Sequence, residues 1–163
     1  MSKQTPPRFG GSTPMYKFMI NPYPDIRVWK CPVCDAKMGQ RTLPLVIHVD
    51  PQYLIALNYA NRYCKQCDLL VAHKDQIEEH LTNLFSRNAP AAIGNDYLIL
   101  GTLEKKIWRE STKNPLMPRE AIPHVHDFAE HFRELRVTRA GWFPEGVEPP
   151  IAEPPASELW IKA

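Results

Sequence analysis

The chain lacks most of the features that would make its task easy to read. No apolar run approaches the roughly 20 residues that span a bilayer. The opening Met-Ser-Lys-Gln-Thr-Pro-Pro-Arg has no apolar stretch of the kind that marks a secretory signal. These two absences lead us to expect a cytoplasmic protein with no membrane contact. There is no glycine-rich phosphate loop, no Ser-His pairing of recognisable spacing and no paired carboxylates, so no catalytic residue is assigned and no small-molecule substrate is evident. Net charge is only +2, too weak to imply a polyanion partner for the whole chain. The two halves differ: residues 1–73 hold nine Lys/Arg against four Asp/Glu, and residues 74–163 hold eleven against fourteen. Either the first half meets an anionic partner, or the halves attract each other.

Two things are abundant. Proline occurs 17 times, about twice its usual share of roughly 5%, and clusters at Pro6–Pro24 and Pro144–Pro155. The clusters predict a flexible arm over 1–24 and a solvated Pro/Glu-rich tail over 143–163. Between them we expect a metal-binding module over 25–88 and a small α+β lobe over 95–142. The other abundance is chemical. All four cysteines fall in two Cys-x-x-Cys pairs, Cys31-Pro-Val-Cys34 and Cys64-Lys-Gln-Cys67, with 29 residues between them.

Such turns let two sulfurs converge on one ion, and two turns complete a tetrahedron of soft, anionic donors. The set Cys31, Cys34, Cys64 and Cys67 therefore predicts one structural zinc in a closed site with no open coordination position. Two disulfides do not suit a reducing compartment, and a redox dithiol would need only one pair. An iron–sulfur cluster is the other metal reading of four cysteines. Each pair follows an aromatic residue, Trp29 or Tyr63, and precedes an aspartate, Asp35 or Asp68. Lys30, Lys37, Lys65 and Arg62 stand close enough in sequence to balance the charge of the cluster. With Arg41 they are also the candidate nucleic-acid contacts, with Tyr53, Tyr59 and Tyr63 as stacking platforms or as core.

The fold class expected is small α+β: a zinc ribbon built on the four cysteines, an amphipathic helix, and a second strand-helix-strand lobe. Met15–Ile20 is apolar enough to add as an edge strand. Leu45, Ile47 and Val49 alternate with Val46, His48 and Asp50, the period of a half-buried strand over 43–50. Pro44 confines the start of that strand to an edge position. Asp50-Pro51 reads as a helix start, giving a short helical turn over 52–57. Leu69–Ala72 reads as a strand. Asp75 and Glu78 form a capping box for a helix ending near Asn88, with Ile77, Leu81, Leu84 and Phe85 on its buried face. Tyr97–Leu100 is a strand ended or bulged at Gly101, and Ile107–Trp108 continue it or open a helix. Ile122, Val125, Phe128 and Phe132 recur at helical spacing, predicting a helix over 121–135, followed by a strand over 136–142. On that helix His124, His126 and His131 diverge and make no second metal site. Leu159-Trp160-Ile161 could dock on the body or on a partner.

Cys-Pro-Val-Cys, strands, Tyr-Cys-Lys-Gln-Cys and a helix over 75–87 together resemble the zinc-finger domain of YgiT-type antitoxins, across residues 29–87. Members are bacterial regulators whose zinc domain binds a toxin and whose C-terminal helix-turn-helix binds DNA. The resemblance implies zinc on Cys31, Cys34, Cys64 and Cys67 and a protein partner. The chain is also similar to bacterial zinc-ribbon proteins with no assigned role. Residues 97–142 do not read as serial short helices. The function expected is accordingly a non-enzymatic zinc-binding module for a protein partner or self-association, with a nucleic-acid-binding, antitoxin-like regulator as the alternative and an enzyme last.

Overall fold

A computed structural model describes residues 10–23, 25–114, 117–131, 135, 137, 141–155 and 160. Its frame is a long hairpin. β2 (Gly39–Val49) runs out, Asp50–Gln52 turn, and β3 (Tyr53–Cys64) returns in antiparallel register, from Val49 opposite Tyr53 to Gly39 opposite Tyr63. The helical turn expected over 52–57 is thus a strand. Ile55 and Leu57 stand opposite Ile47 and Leu45, and matching two alternating strands buries more apolar surface than one isolated turn could. Asp50-Pro51, a cis peptide, is the hairpin tip rather than a helix start.

Around this hairpin the described residues form one seven-stranded mixed sheet, ordered β6-β5-β2-β3-β4-β1-β7, so the α+β class holds. β4 (Leu69–His73) pairs antiparallel with the last three residues of β3. β1 (Lys17–Asn21) lies parallel to β4, and the two-residue β7 (Glu130–His131) lies beyond it. On the other side, β5 (Tyr97–Leu103) pairs with β2 and β6 (Val125–Asp127) pairs with β5. β5, β6 and β7, from the stretch expected to be a second lobe, thus belong to the same sheet as the hairpin. Residues 10–23 are joined to the body as well. Phe18 is fully buried and stacks on Phe128 with ring centroids 4.5 Å apart. Gly10 donates its N–H to Asp127, at a place where a Cβ would meet the Val125 carbonyl oxygen.

Helix α1 (Lys74–Asn88) leaves β4 without a loop. It covers one face with Ile77, Leu81 and Phe85, against Leu43, Leu45, Ile47, Val49 and Phe18. Leu84, expected in that stripe, is 39% exposed. The expected capping box does not form: His73 occupies the cap position with no side-chain hydrogen bond. Because the helix starts directly at the strand end, Asp75 falls inside its first turn and pairs with Arg27 at 2.8 and 3.2 Å. Val46, Leu103 and Val125 form a smaller cluster on the opposite face, with α2 (Lys105–Lys113) supplying Ile107 and Trp108.

The helix expected over 121–135 is also overturned. A single turn, α3 (Pro118–Ala121), leads into a 3-10 turn over Ile122–His124 and then into β6. Val125–Asp127 find ladder partners on Leu103–Gly101, and Gly101 permits the approach because a Cβ there would sit 2.1 Å from the His126 carbonyl oxygen. Strand pairing thus outweighs the helical spacing of the apolar residues. The register shift of β2 against β5 between Val46 and Ile47 is the irregularity expected near Gly101, but the strand continues through it to Leu103. The strand expected over 136–142 lies mostly outside the described residues, as do Leu159 and Ile161. Trp160 docks on the body, donating its indole N–H to the Asn95 carbonyl and meeting Tyr97 edge to face.

Candidate metal centre

The hairpin brings the two cysteine pairs together. Eleven residues of β2 and twelve of β3 carry the chain away and back, so the 29-residue gap closes on itself. The first pair sits in a turn closed by an isolated antiparallel bridge between Lys30 and Lys37. Within it the Cys31 N–H donates to the Ala36 carbonyl at 2.8 Å, the Asp35 N–H donates to the Cys31 carbonyl at 2.8 Å, and the Val33 N–H points at the Cys31 sulfur. The second pair is the turn between β3 and β4, with Cys64 opposite Leu69. The Lys17 N–H donates to the Asp68 carbonyl and ties that turn to β1.

The paired aspartates have a structural role the sequence pattern did not disclose. Asp35 has φ 61° and Asp68 has φ 54°, the left-handed region that lets each turn fold back after its second cysteine. Aspartate and asparagine tolerate that region better than most residues, so an Asp directly after each Cys-x-x-Cys was the available clue. Asp68 also accepts the Tyr63 hydroxyl at 2.7 Å, and the Arg41 guanidinium lies 4.1 Å from the Tyr63 ring centre.

All four Sγ atoms lie within 4.8 Å of one another, with Cys34 and Cys64 3.4 Å apart and Cys31 and Cys67 3.9 Å apart. A metal–sulfur distance of about 2.3 Å in a tetrahedron requires sulfurs about 3.8 Å apart, so the set fits a single ion. A disulfide needs about 2.05 Å, and all four cysteines are free. Cys31 and Cys64 are buried, backed by Val28, Met38, Leu69 and Val71, while Cys34 is exposed. These four cysteines lie together and can hold a metal ion.

The Ala36 backbone N–H, then Cys64, holds the Cys34 thiol down at about 7. Hydrogen bonding to Cys34, then burial, pushes Cys67 up to about 12, and burial raises Cys31. A bound divalent ion would invert this order by deprotonating its ligands outright. No protein family, no curated protein and no solved structure matches this chain.

The cationic residues proposed from sequence do not form one set. Lys30, Lys37 and Lys65 are exposed on the two cysteine turns. Arg41 and Arg62, by contrast, occupy alternate-face positions: Arg41 pairs with Asn61, and Arg62 follows Asn61 along β3. Tyr59 is core, as one reading of the tyrosines had it, and its hydroxyl donates to Gln76 at 2.6 Å. His124 closes the 3-10 turn and His126 lies on β6, so the two do not share an α-helix. Both approach Glu104, at 3.4 and 3.6 Å, a convergence the helical reading hid. Among the described residues only the four cysteines form a cluster able to hold a metal. Among the same residues no helix is long and apolar enough to cross a membrane.

Proposed function

We propose that this chain is a non-enzymatic protein-interaction module, a zinc ribbon whose knuckle end is held by one structural zinc on Cys31, Cys34, Cys64 and Cys67. The convergence of four sulfurs within 4.8 Å carries the reading. Every cysteine is used, which leaves no donor position for a substrate, and closed thiolate sets of this kind build structure rather than perform chemistry. A reducing, cytoplasmic setting suits four free thiols. The test is elemental analysis of freshly purified protein combined with thiol titration. One zinc per chain and no reactive thiol until a chelator is added is the expected outcome. A folded chain with no metal, or with iron in place of zinc, would sink the zinc ribbon.

A second reading rests on Trp29, which is 59% exposed with the Lys30 ammonium 4.8 Å over its ring, and on exposed Lys37 and Lys65 nearby. An aromatic platform among lysines suits a single-stranded nucleic acid. Binding of random DNA and RNA that weakens steeply with added salt would support it, and no binding at low salt would remove it.

A further inference from the structure

β3 is paired with β2 on one side from Tyr53 to Tyr63, but on the other side β4 covers only Arg62–Cys64. From Tyr53 to Asn61 the second edge has no strand beside it among the described residues. Pro44 shows which backbone groups face outward. It has no N–H and stands opposite Asn58, which suits the non-hydrogen-bonded position of an antiparallel ladder. Asn58 therefore turns its N–H and C=O away from β2, and Ala56 and Ala60 do the same by alternation. All three residues are exposed. Nothing defends this edge: Tyr53–Asn61 contains no charged residue and no proline, the usual devices against unwanted pairing.

At Asn58–Arg62 the edge opens into a cleft of about 500 Å³ between the β2–β3 hairpin and α1. Asn58, Ala60 and Arg62 line it together with Gln40 and Thr42 of β2, and Gln76 and His80 of α1 stand on the other side. Tyr59 and Tyr53 meet His80 and Phe85 edge to face, so α1 runs alongside the strand. Two arginines, Arg27 and Arg62, line the cleft. Arg27 and Arg62 both lie close enough to act on the Tyr59 hydroxyl and the His73 ring. Arg27 is satisfied by Asp75, whereas Arg62 has no carboxylate partner among the described residues. Glu79 also lines the cleft, and Asp75 acts on both groups against the two arginines.

We propose that the Tyr53–Asn61 edge of β3 is a strand-addition site for an extended peptide of a partner protein, with a carboxylate of that peptide seated on Arg62. This rests on the interaction reading above and names the surface that performs it. Main-chain hydrogen bonds to Ala56, Asn58 and Ala60 give affinity, and Arg62 sets register. A walled cleft admits a single strand more readily than a second copy carrying its own sheet and helix.

The test uses the zinc-containing full chain, panned against random dodecapeptides displayed with a free carboxyl terminus or, in a second arm, with that terminus blocked. The arms distinguish a terminal carboxylate from an Asp or Glu side chain. Enriched peptides should be rich in β-branched residues and carry an acidic group. Their Kd should rise about tenfold in Arg62→Gln, the loss of one charge-assisted hydrogen bond. Asn58→Pro should abolish binding while leaving the β2 ladder intact, and bound peptide should slow hydrogen exchange at residues 54–60. Unchanged metal content and melting in Arg62→Gln guard against a folding artefact. An absence of enriched peptides would overturn the site. Peptides that bind both variants as well as the wild type would remove the site but leave the interaction reading standing. A dimer in sedimentation that protects the same amides would assign the edge to a second copy and overturn the peptide. Peptide capture at β3 by a chain lacking zinc would sink the zinc ribbon and keep the edge.

Discussion

If the four cysteines hold the zinc proposed above, the two ends of the β2–β3 hairpin are held by different physics. At the tip end, Leu45, Ile47 and Val49 are fully buried beneath Ile77, Leu81 and Phe85 of α1. At the base, the cysteine turns rest on a handful of apolar side chains, chiefly Val28, Met38, Leu69 and Val71. Burial of this kind is distributed, and each side chain removed costs a few kcal/mol. A tetrathiolate is concentrated: losing one ligand forfeits most of the metal, and structural zinc contributes about 10–16 kcal/mol of apparent binding energy in finger peptides. One end should therefore fail gradually and the other abruptly.

The sharpest way to break that contrast is Cys64→Ser, because Cys64 is buried at the junction of β3 and β4. The variant should lose its metal, and hydrogen exchange over 30–38 and 64–68 should accelerate by orders of magnitude while amides of Leu45–Val49 and Ile77–Phe85 stay protected. Uniform acceleration across both sets would show that the ends are one cooperative unit. The reciprocal variant is Phe18→Ala. Phe18 is 1% exposed, packs into the α1-side core and stacks on Phe128. Denaturant melts should show a loss of about 3–5 kcal/mol with zinc content unchanged. Loss of metal in this variant would couple the ends from the other side.

The contrast also explains what could be read before the fold was seen. Metal-ligand spacing is local and chemically exclusive, so Cys31, Cys34, Cys64 and Cys67 were legible as one cluster although 29 residues separate the pairs. Alternation likewise disclosed β2, and apolar spacing disclosed α1. Residues 121–131 of the helix expected over 121–135 were misread because Ile122, Val125 and Phe128 fit a helical period as well as a turn followed by a strand. The deciding factor was nonlocal: Leu103–Gly101 offered an open edge, and Gly101 had room for the His126 carbonyl. Tyr53–Leu57 was misread for a related reason, since a proline after an aspartate starts a helix or caps a hairpin according to what lies opposite. The uncovered stretch of β3 was invisible in sequence, because it depends on where β4 stops.

A smaller effect sharpens the comparison at the base. Asp35 holds φ 61° directly after Cys34, and a β-branched residue resists that conformation by about 1–2 kcal/mol. Asp35→Val should therefore lower the melting temperature and weaken zinc in competition with a chromogenic chelator, whereas Asp35→Gly should retain both. Equal behaviour of the two variants would mean that the Asp35 side chain, and not backbone freedom, is what the turn requires.

The smallest effect lies between the two regions, at His73, where β4 becomes α1. Asn21 donates to the Ile26 carbonyl through Nδ2 and accepts the Tyr23 N–H through Oδ1, which fixes its amide. The contact of Asn21 Nδ2 with His73 Nδ1 at 3.1 Å is then a donation to the ring, which only a ring unprotonated at Nδ1 can accept. Burial, then repulsion by Arg27 and Arg62, holds His73 below its ordinary 6.5, with Asp75 opposing. The unfolded chain therefore takes up this proton first as pH falls. The stability from His73 is complete above about pH 6.5 and declines as pH drops through the lower folded value. Thiolate protonation also weakens the base in acid, so the measurement is the difference between wild type and His73→Gln, both loaded with zinc, in melts from about pH 7.5 to 5.5. Glutamine can still accept from Asn21 but carries no titrating ring, so wild type should lose stability relative to the variant as pH falls. A constant difference across that range would show that the junction does not sense protons and that acid acts on the sulfur end alone.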